Sequence, residues 1–329
     1  MIVNVPKADF KRAIKDLAPL FRFSEQFRAF NLSIKGGVLY INANTGLCYE
    51  TAIPLKEEYN DFEINLIYQD ISEILGEKGD VELNLSPASC TVSSGAFEVT
   101  LSPANDSVTP LYHSKTEESQ LPEFFQYVCK TLTNTLTFRK AYKLSPILTF
   151  NGKVSYVKFP TVWVETMNGY LHCNLTMDIA DIVLNFEPTS YTEKEDRIFL
   201  YRGDTVLVVP CSTPSENNFD KMVQGMIKVT ELDVANLAVL LRKVAKVFGN
   251  GGATMFLAER GFRLQVMRPG AHSFVNFGDT GAIKASAQLP LEFILAVFNI
   301  LGGRVNIYFG GGKICLQNST TRILLSVNG

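Results

Sequence analysis

The stretch 284-KASAQLPLEFILAVFNILGGRVNIYFGGGKICLQNSTTRILLSV-327 reads as one complete small unit of strand, helix and three strands. Residues 284–287 are extended, and Pro290 at a first helical position opens a helix. Leu291, Ile294, Leu295, Phe298 and Leu301 then fall at the spacing of one apolar face. Gly302-Gly303 stops that helix. Three short β-rich runs follow, 305–309, 314–317 and 322–327, separated by Gly310-Gly311-Gly312 and Asn318-Ser319-Thr320. The unit is about 45 residues long, near the upper end of the periods that mark repeat architectures.

Working outward, the same unit recurs. At the N-terminus a strand over 2–5 runs into a helix opened by Pro6, whose buried stripe is Phe10, Ile14 and Leu17. Strands 30–34, 38–42 and 48–54 follow, joined at Gly36-Gly37 and Asn44-Thr45-Gly46. A second copy has strand 63–67, a short helix from Asp70 with Ile71, Ile74 and Leu75 inward, and strands 81–85, 90–93 and 97–101. Residues 103–122 are polar and aperiodic and read as a linker.

The middle of the chain repeats the pattern less clearly. Phe125, Val128, Cys129, Leu132 and Leu136 mark a helix, followed by strand-like runs 147–150, 154–159, 161–166 and 170–175. The next copy has a helix from Asp178 with Ile179, Ile182, Val183 and Phe186, an acidic loop over 193–196, and a hairpin about Gly203-Asp204. Residues 212–225 read as a second linker. The last third opens with strand 226–230 and a helix capped by Asp233 and ended at Gly249, with Leu237, Leu240, Leu241, Val244, Val247 and Phe248 on its apolar side. Strands 254–259, 262–267 and 273–277 complete that copy. The reading is an α+β chain of three duplicated strand-helix-three-strand domains, 1–106, 107–223 and 224–329.

Composition narrows the class. With 46% hydrophobic residues in 329, the chain can bury several cores, and the formal net charge of −2 means that any nucleic-acid role must come from local placement of Lys and Arg. The six cysteines stand singly, with no C-x-x-C, as reduced thiols in a cytosolic protein do. No stretch is long and apolar enough for a membrane helix and no signal pattern opens the chain, so a soluble, cytoplasmic protein is expected.

A threefold array of duplicated strand-helix-three-strand units resembles the bacterial sliding clamp, the beta subunit of the replicative DNA polymerase. The likeness is carried by "FNLSIKGGVLYINANTGLCYETAIPL", "GDVELNLSPASCTVSSGAFEVTLS" and "LPLEFILAVFNILGGRVNIYF". It implies domains that form part of a closed ring, with helices lining a hole and strands forming an outer sheet. It implies as partners double-stranded DNA, a DNA polymerase, a clamp loader and a second copy in a head-to-tail homodimer. Phe97 and Val99 of one copy would meet Val247 and Phe248 of the other. A partner-peptide pocket would be made by Tyr170 and Leu171, in and beside the Asn168-Gly169 turn, with Leu325 and Val327. The chain is shorter than typical bacterial members, and its end, "RILLSVNG", lacks their apolar, proline-containing tail. A clamp from a virus of bacteria would show such differences.

The residues themselves argue against catalysis. His113, His172 and His272 sit in no metal spacing, and there is no HExxH, G-x-S-x-G or P-loop, so no metal and no cofactor is expected. Gly310-Gly311-Gly312 lies between strands with no helix after it and reads as a hairpin turn, not a phosphate cradle. Asp178 and Asp181 open a helix, where the macrodipole favours acids. The sharper signal is basic. Lys7, Lys11 and Lys15, with Arg12 beside them, repeat every four residues and place ammonium groups about 6 Å apart along the axis. Arg242, Lys243 and Lys246 do likewise on the helix from Asp233. Taken alone such a stripe is an ordinary solvated face; in a ring it would face DNA. The second helix of each domain, with Glu73, Asp181 and Glu292, is acidic or neutral, which implies weak, sliding contact. The rival readings are a β-rich structural or assembly protein, such as a virion component, that shares the repeat without encircling DNA, and an enzyme acting on nucleotides.

Overall fold

The structure, a computed structural model, describes residues 1–23, 28–76, 79–111, 118–167, 171–214, 216–249, 252–268 and 270–326. In chain order, β1 (Ile2–Pro6) and α1 (Lys7–Phe23) precede β2 (Ala29–Lys35), β3 (Val38–Asn44), β4 (Cys48–Pro54) and β5 (Phe62–Ile67). Strands β6 (Asp80–Ser86), β7 (Ser89–Ser94), β8 (Phe97–Leu101) and β9 (Ser119–Gln120) come next. Helices α2 (Phe124–Thr133) and α3 (Leu136–Tyr142) lead to β10 (Ile147–Asn151), β11 (Ser155–Lys158), β12 (Val162–Thr166) and β13 (His172–Thr176). Then follow α4 (Met177–Phe186), β14 (Ser190–Lys194), β15 (Arg197–Arg202), β16 (Thr205–Pro210) and α5 (Phe219–Val223). The last third holds β17 (Ile227–Asp233), α6 (Val234–Phe248), β18 (Gly252–Arg268), β19 (Ala271–Pro290), α7 (Leu291–Leu301), β20 (Arg304–Gly310), β21 (Lys313–Gln317) and β22 (Thr321–Ser326).

The chain forms two compact units, Met1–Pro122 with Asp181–Ser212, and Glu123–Ala180 with Thr213–Gly329. In the first, β1-β6-β7-β8 make one antiparallel sheet and β5-β2-β3-β4-β16-β15-β14-β9 another. Helix α1 packs on β1, β4 and β6. The periodicity of its sequence is met in full, because Phe10, Ile14 and Leu17 are buried with Val3, Val5, Phe30 and Leu32. Each such side chain contributes about 1.5–3 kcal/mol by leaving water. At the β2–β3 hairpin both turn residues, Gly36 and Gly37, have positive φ (57° and 75°), the conformation that a two-residue turn of matching twist requires.

The second unit contains the sheet β13-β10-β11-β12-β22-β21-β20-β17 and a ribbon of β18 with β19. Helix α7 is apolar nearly all round and correspondingly buried, with Phe298 against Phe262 of β18 and Phe293 against Phe138 of α3. In both units the first strand of a repeat pairs with the other repeat of its pair: β1 with β6, β5 with β2, β13 with β10, β17 with β20. The repeats are therefore laced together.

Several expectations are corrected. The helix from Asp70 is a single turn, in which Ile71 and Leu75 are buried and the Asp70 carboxylate accepts from the Ser72 backbone N–H at 3.2 Å. Five residues between Asp70 and Gly76 cannot offset the cost of helix nucleation. The helix over Phe125 to Leu136 breaks at Asn134-Thr135 into α2 and α3, and Leu136 is exposed. The four strands expected over 254–287 are two long ones, paired from Gly252 with Pro290 to Arg268 with Ala271 through two register shifts. Glu193 and Lys194 lie in β14, not in a loop. The second linker carries α5, whose Phe219 is fully buried against Trp163, and the first carries β9 and a bridge from Pro103 to Leu66. On α6, Leu237 and Leu241 are buried as expected, whereas Leu240 and Val247 are 41% and 65% exposed.

All six cysteines are free thiols. Burial pushes those of Cys90, Cys129 and Cys315 up to about 12. A maleimide at neutral pH is expected to leave these three unmodified in the native protein and to label them all after unfolding, because the thiolate is the nucleophile. Mass spectrometry reads this directly, and native labelling of any of the three within minutes would contradict the packing.

Candidate nucleic-acid and partner surfaces

The apolar stripe of α1 fixes where its cations point. With Phe10, Ile14 and Leu17 inward, Arg12 and Lys15 are exposed and Lys7 and Lys11 half-buried. The line is not purely basic: Asp9 lies in the first turn, and Asp16 pairs with Arg202. Beside it is a cleft of about 200 Å³ whose lining includes Asp9, Arg12, Asp16, Tyr49, Arg202 and Asp204. Three carboxylates face two guanidinium groups there, so the cleft is mixed in sign with an excess of one acid and adds nothing to a basic surface. Burial raises the pKa of Asp16 against the opposing pull of Arg202.

In the second unit, α6 is capped by Asp233, which accepts from the Ala235 N–H at 3.1 Å, and carries Arg242, Lys243 and Lys246 exposed. Arg242 donates to Asn299 of α7. Helices α2 and α3 add Lys130 and Lys140, and Lys143 follows directly after α3; all three are exposed and were missed in the sequence. The usable signal was the position of Lys130 opposite Phe125, Val128, Cys129 and Leu132. Arg139 is committed to Asp178 at 2.7 Å, so that acid serves an ion pair. Helix α7, read as an acidic or neutral helix with Glu292, is largely buried, and Glu292 itself is half-exposed.

Strand β8 is an edge of its sheet. The face built from Val3, Leu83 and Val92 continues outward to Val99, which is only half-buried, and Phe97 on the same strand is 57% exposed. Val247 and Phe248 stand at the C-terminal end of α6, Phe248 half-buried. Leu171 and Leu325 are both buried, Leu325 lying in the sheet between Val162 and Ile314. Tyr170 and Val327 fall outside the described residues, as does His113. His172 is in β13, and His272 stands edge-on to Phe274. The Gly310-Gly311-Gly312 run closes the β20–β21 hairpin, as read, with Gly310 ending β20 opposite Lys313 and Gly311-Gly312 forming the turn. Among the described residues no group of three or more His, Cys, Asp or Glu side chains could hold a metal, and no helix is long and apolar enough to cross a membrane.

No protein-family model matches the chain, and no curated protein matches it by sequence. Solved structures do match it. The beta clamp of Helicobacter pylori bound to a DNA ligase peptide is similar over 100% of both chains, with a TM-score of 0.79 at 11% identity. The fold is that of a bacterial sliding clamp. The DNA polymerase III beta subunit of Pseudomonas aeruginosa gives the same TM-score of 0.79 at 13% identity, again over 100% of both chains. A second structure of the sliding clamp from that organism gives 0.78 at 13%, over 100% of this chain and 99% of that one. The likeness in fold thus extends over the whole chain, and β8 and the end of α6 carry exposed apolar side chains.

Proposed function

We propose that the protein is a DNA polymerase processivity factor, a cytoplasmic sliding clamp without catalytic activity. Two copies close head to tail into a ring around duplex DNA, a clamp loader opens it, and the ring tethers the replicative polymerase. The observation that carries this reading is the likeness to sliding clamps over the whole of both chains. Three domains per chain, 1–106, 107–223 and 224–329, make a ring of six from two chains. The mechanism is topological: a tethered polymerase that lets go of its primer rebinds at high effective concentration instead of being lost. Primer extension on a circular single-primed template, with and without the protein, tests it. Products that lengthen on circles but not on short linear templates are expected, together with rings in negative stain whose hole exceeds the roughly 20 Å of duplex DNA. Filaments or solid particles would favour the assembly-protein reading.

Contact with DNA is assigned to Lys7, Lys11, Arg12 and Lys15 on α1 and Arg242, Lys243 and Lys246 on α6. Replacing Lys7, Lys11, Lys15 and Lys243 with Glu is expected to weaken binding to linear duplex and to flatten its salt dependence, since up to four phosphate contacts are lost, while the fold is kept. Fluorescence anisotropy at several salt concentrations measures both. An unchanged affinity and slope would reduce the stripe to a solvated face.

The partner peptide is assigned to Tyr170, Leu171, Leu325 and Val327. The Helicobacter pylori clamp was solved with a DNA ligase peptide. Deleting residues 327–329 is expected to remove polymerase stimulation with little change in melting temperature, because a terminal segment adds little to a core. Stimulation that survives the deletion would place the partner elsewhere.

A further inference from the structure

Two seams join strands from different thirds of the chain, β4 with β16 in the first unit and β12 with β22 in the second. An arginine stands beside each, Arg202 at the end of β15 where it pairs with Thr205 of β16 and Arg322 in β22 itself, and each grips two other elements and stacks on a phenylalanine. In the first unit Arg202 donates through Nη1 to the carbonyl of Phe186, the last residue of α4, and pairs through Nη2 with Asp16 of α1. Its guanidinium lies 4.6 Å from the centre of the Phe186 ring. Tyr49 of β4 donates to the same Asp16 oxygen at 3.2 Å, and Thr51 meets Thr205 across the seam at 2.8 Å. In the second unit Arg322 of β22 stands directly opposite Glu165 of β12. It donates to Glu165 through Nε at 2.8 Å and through Nη2, and to Asp220 of α5 through Nη1 at 2.7 Å, and it lies 4.6 Å from the Phe219 ring.

From this shared arrangement we infer that Arg202 and Arg322 are positioning residues, each of which locks its own seam independently of the other. A guanidinium suits this task because its flat fork holds several acceptors at fixed angles and its face can stack, whereas an ammonium can do neither. The two locks differ in exposure. Side chains of Arg202 and Asp16 are 10% and 12% exposed, and Glu165 is fully buried, but Asp220 is 83% exposed. Salt screens exposed pairs and spares buried ones. The Asp220 arm, and with it α5, is the part that high salt should loosen.

Hydrogen exchange on the intact protein tests this. Arg202→Met is expected to speed exchange of the β4 and β16 amides about tenfold or more while β12 and β22 keep the parent rates, and Arg322→Met to do the reverse. Raising salt should speed exchange in α5 alone. Seam rates within about twofold of the parent, or a rise spread equally over the whole chain, would overturn the locks. If either Met variant fails to accumulate folded, Arg202→Lys and Arg322→Lys are read instead. They keep the charge and lose the fork, so parental rates in them would also overturn the proposal.

Discussion

Aspartate in place of Phe97 is expected to hold the protein as a folded monomer. Phe97 is 57% exposed on β8, an edge strand, so the isolated chain loses little by the change. At the proposed joint with Val247 and Phe248 of a second copy the same position would be desolvated, and an unpaired carboxylate there would cost several kcal/mol. A head-to-tail ring has two identical joints, so one substitution acts twice and the effect on assembly is doubled. Light scattering should show the mass halved while far-ultraviolet circular dichroism and melting change little. Phe248→Asp is the reciprocal test from the α6 side, with a larger effect on folding because that side chain is half-buried. A folded Phe97→Asp protein that stays dimeric would refute the contact and favour an isologous dimer through another face.

The largest expected loss of stability follows from Arg322→Ala. Glu165 has no exposed side-chain surface, and the substitution leaves its carboxylate with Asn217 as its remaining side-chain partner among those described. Breaking a buried pair by removing one member costs about 3–5 kcal/mol. At roughly 2–4 °C per kcal/mol for a body of this size, the melting temperature should fall by about 6–20 °C. Replacing both members, Arg322→Met with Glu165→Leu, should recover most of that loss, since no charge is left buried. Calorimetry of the two variants checks the pair of outcomes. A single substitution costing under about 1 kcal/mol would mean that the pair contributes no more than an exposed one.

The local elements were legible because they are written in short-range periodicity. Phe10, Ile14 and Leu17 on α1, the Gly36-Gly37 turn and the Asp233 cap of α6 each declare themselves within a few residues, and each is found where the pattern puts it. The lacing of one repeat into the next left no such mark. Nothing around Val3 indicates that its partner is Leu83, because pairing across eighty residues is decided by which edges remain free once the local hairpins have formed. The same limit hid Arg202 and Arg322, single cations in strands with no period to report them. Phe219 was concealed differently: one aromatic residue among Ser, Asn and Asp looks like linker, yet it is buried in the apolar cluster formed with Tyr156, Trp163, Cys315 and Leu324. Lys140 and Lys143 escaped notice because the helix expected to end near Leu136 continues as α3 beyond a break.

The seam between β4 and β16 has a consequence for how the protein is made. Residue 54 leaves the ribosome about 150 residues before residue 205, which at typical synthesis rates is roughly 8–30 s. Throughout that interval β4 is the bare border of a half-built sheet, with Tyr49 and Ile53 on one side of it and its outward N–H and C=O groups unpaired. Any neighbouring nascent chain on the same message offers an identical border. Delayed release, a lowered temperature or a codon-slowed middle third should therefore raise the fraction of product lost to strand-mediated association during translation, even where the finished chain is stable.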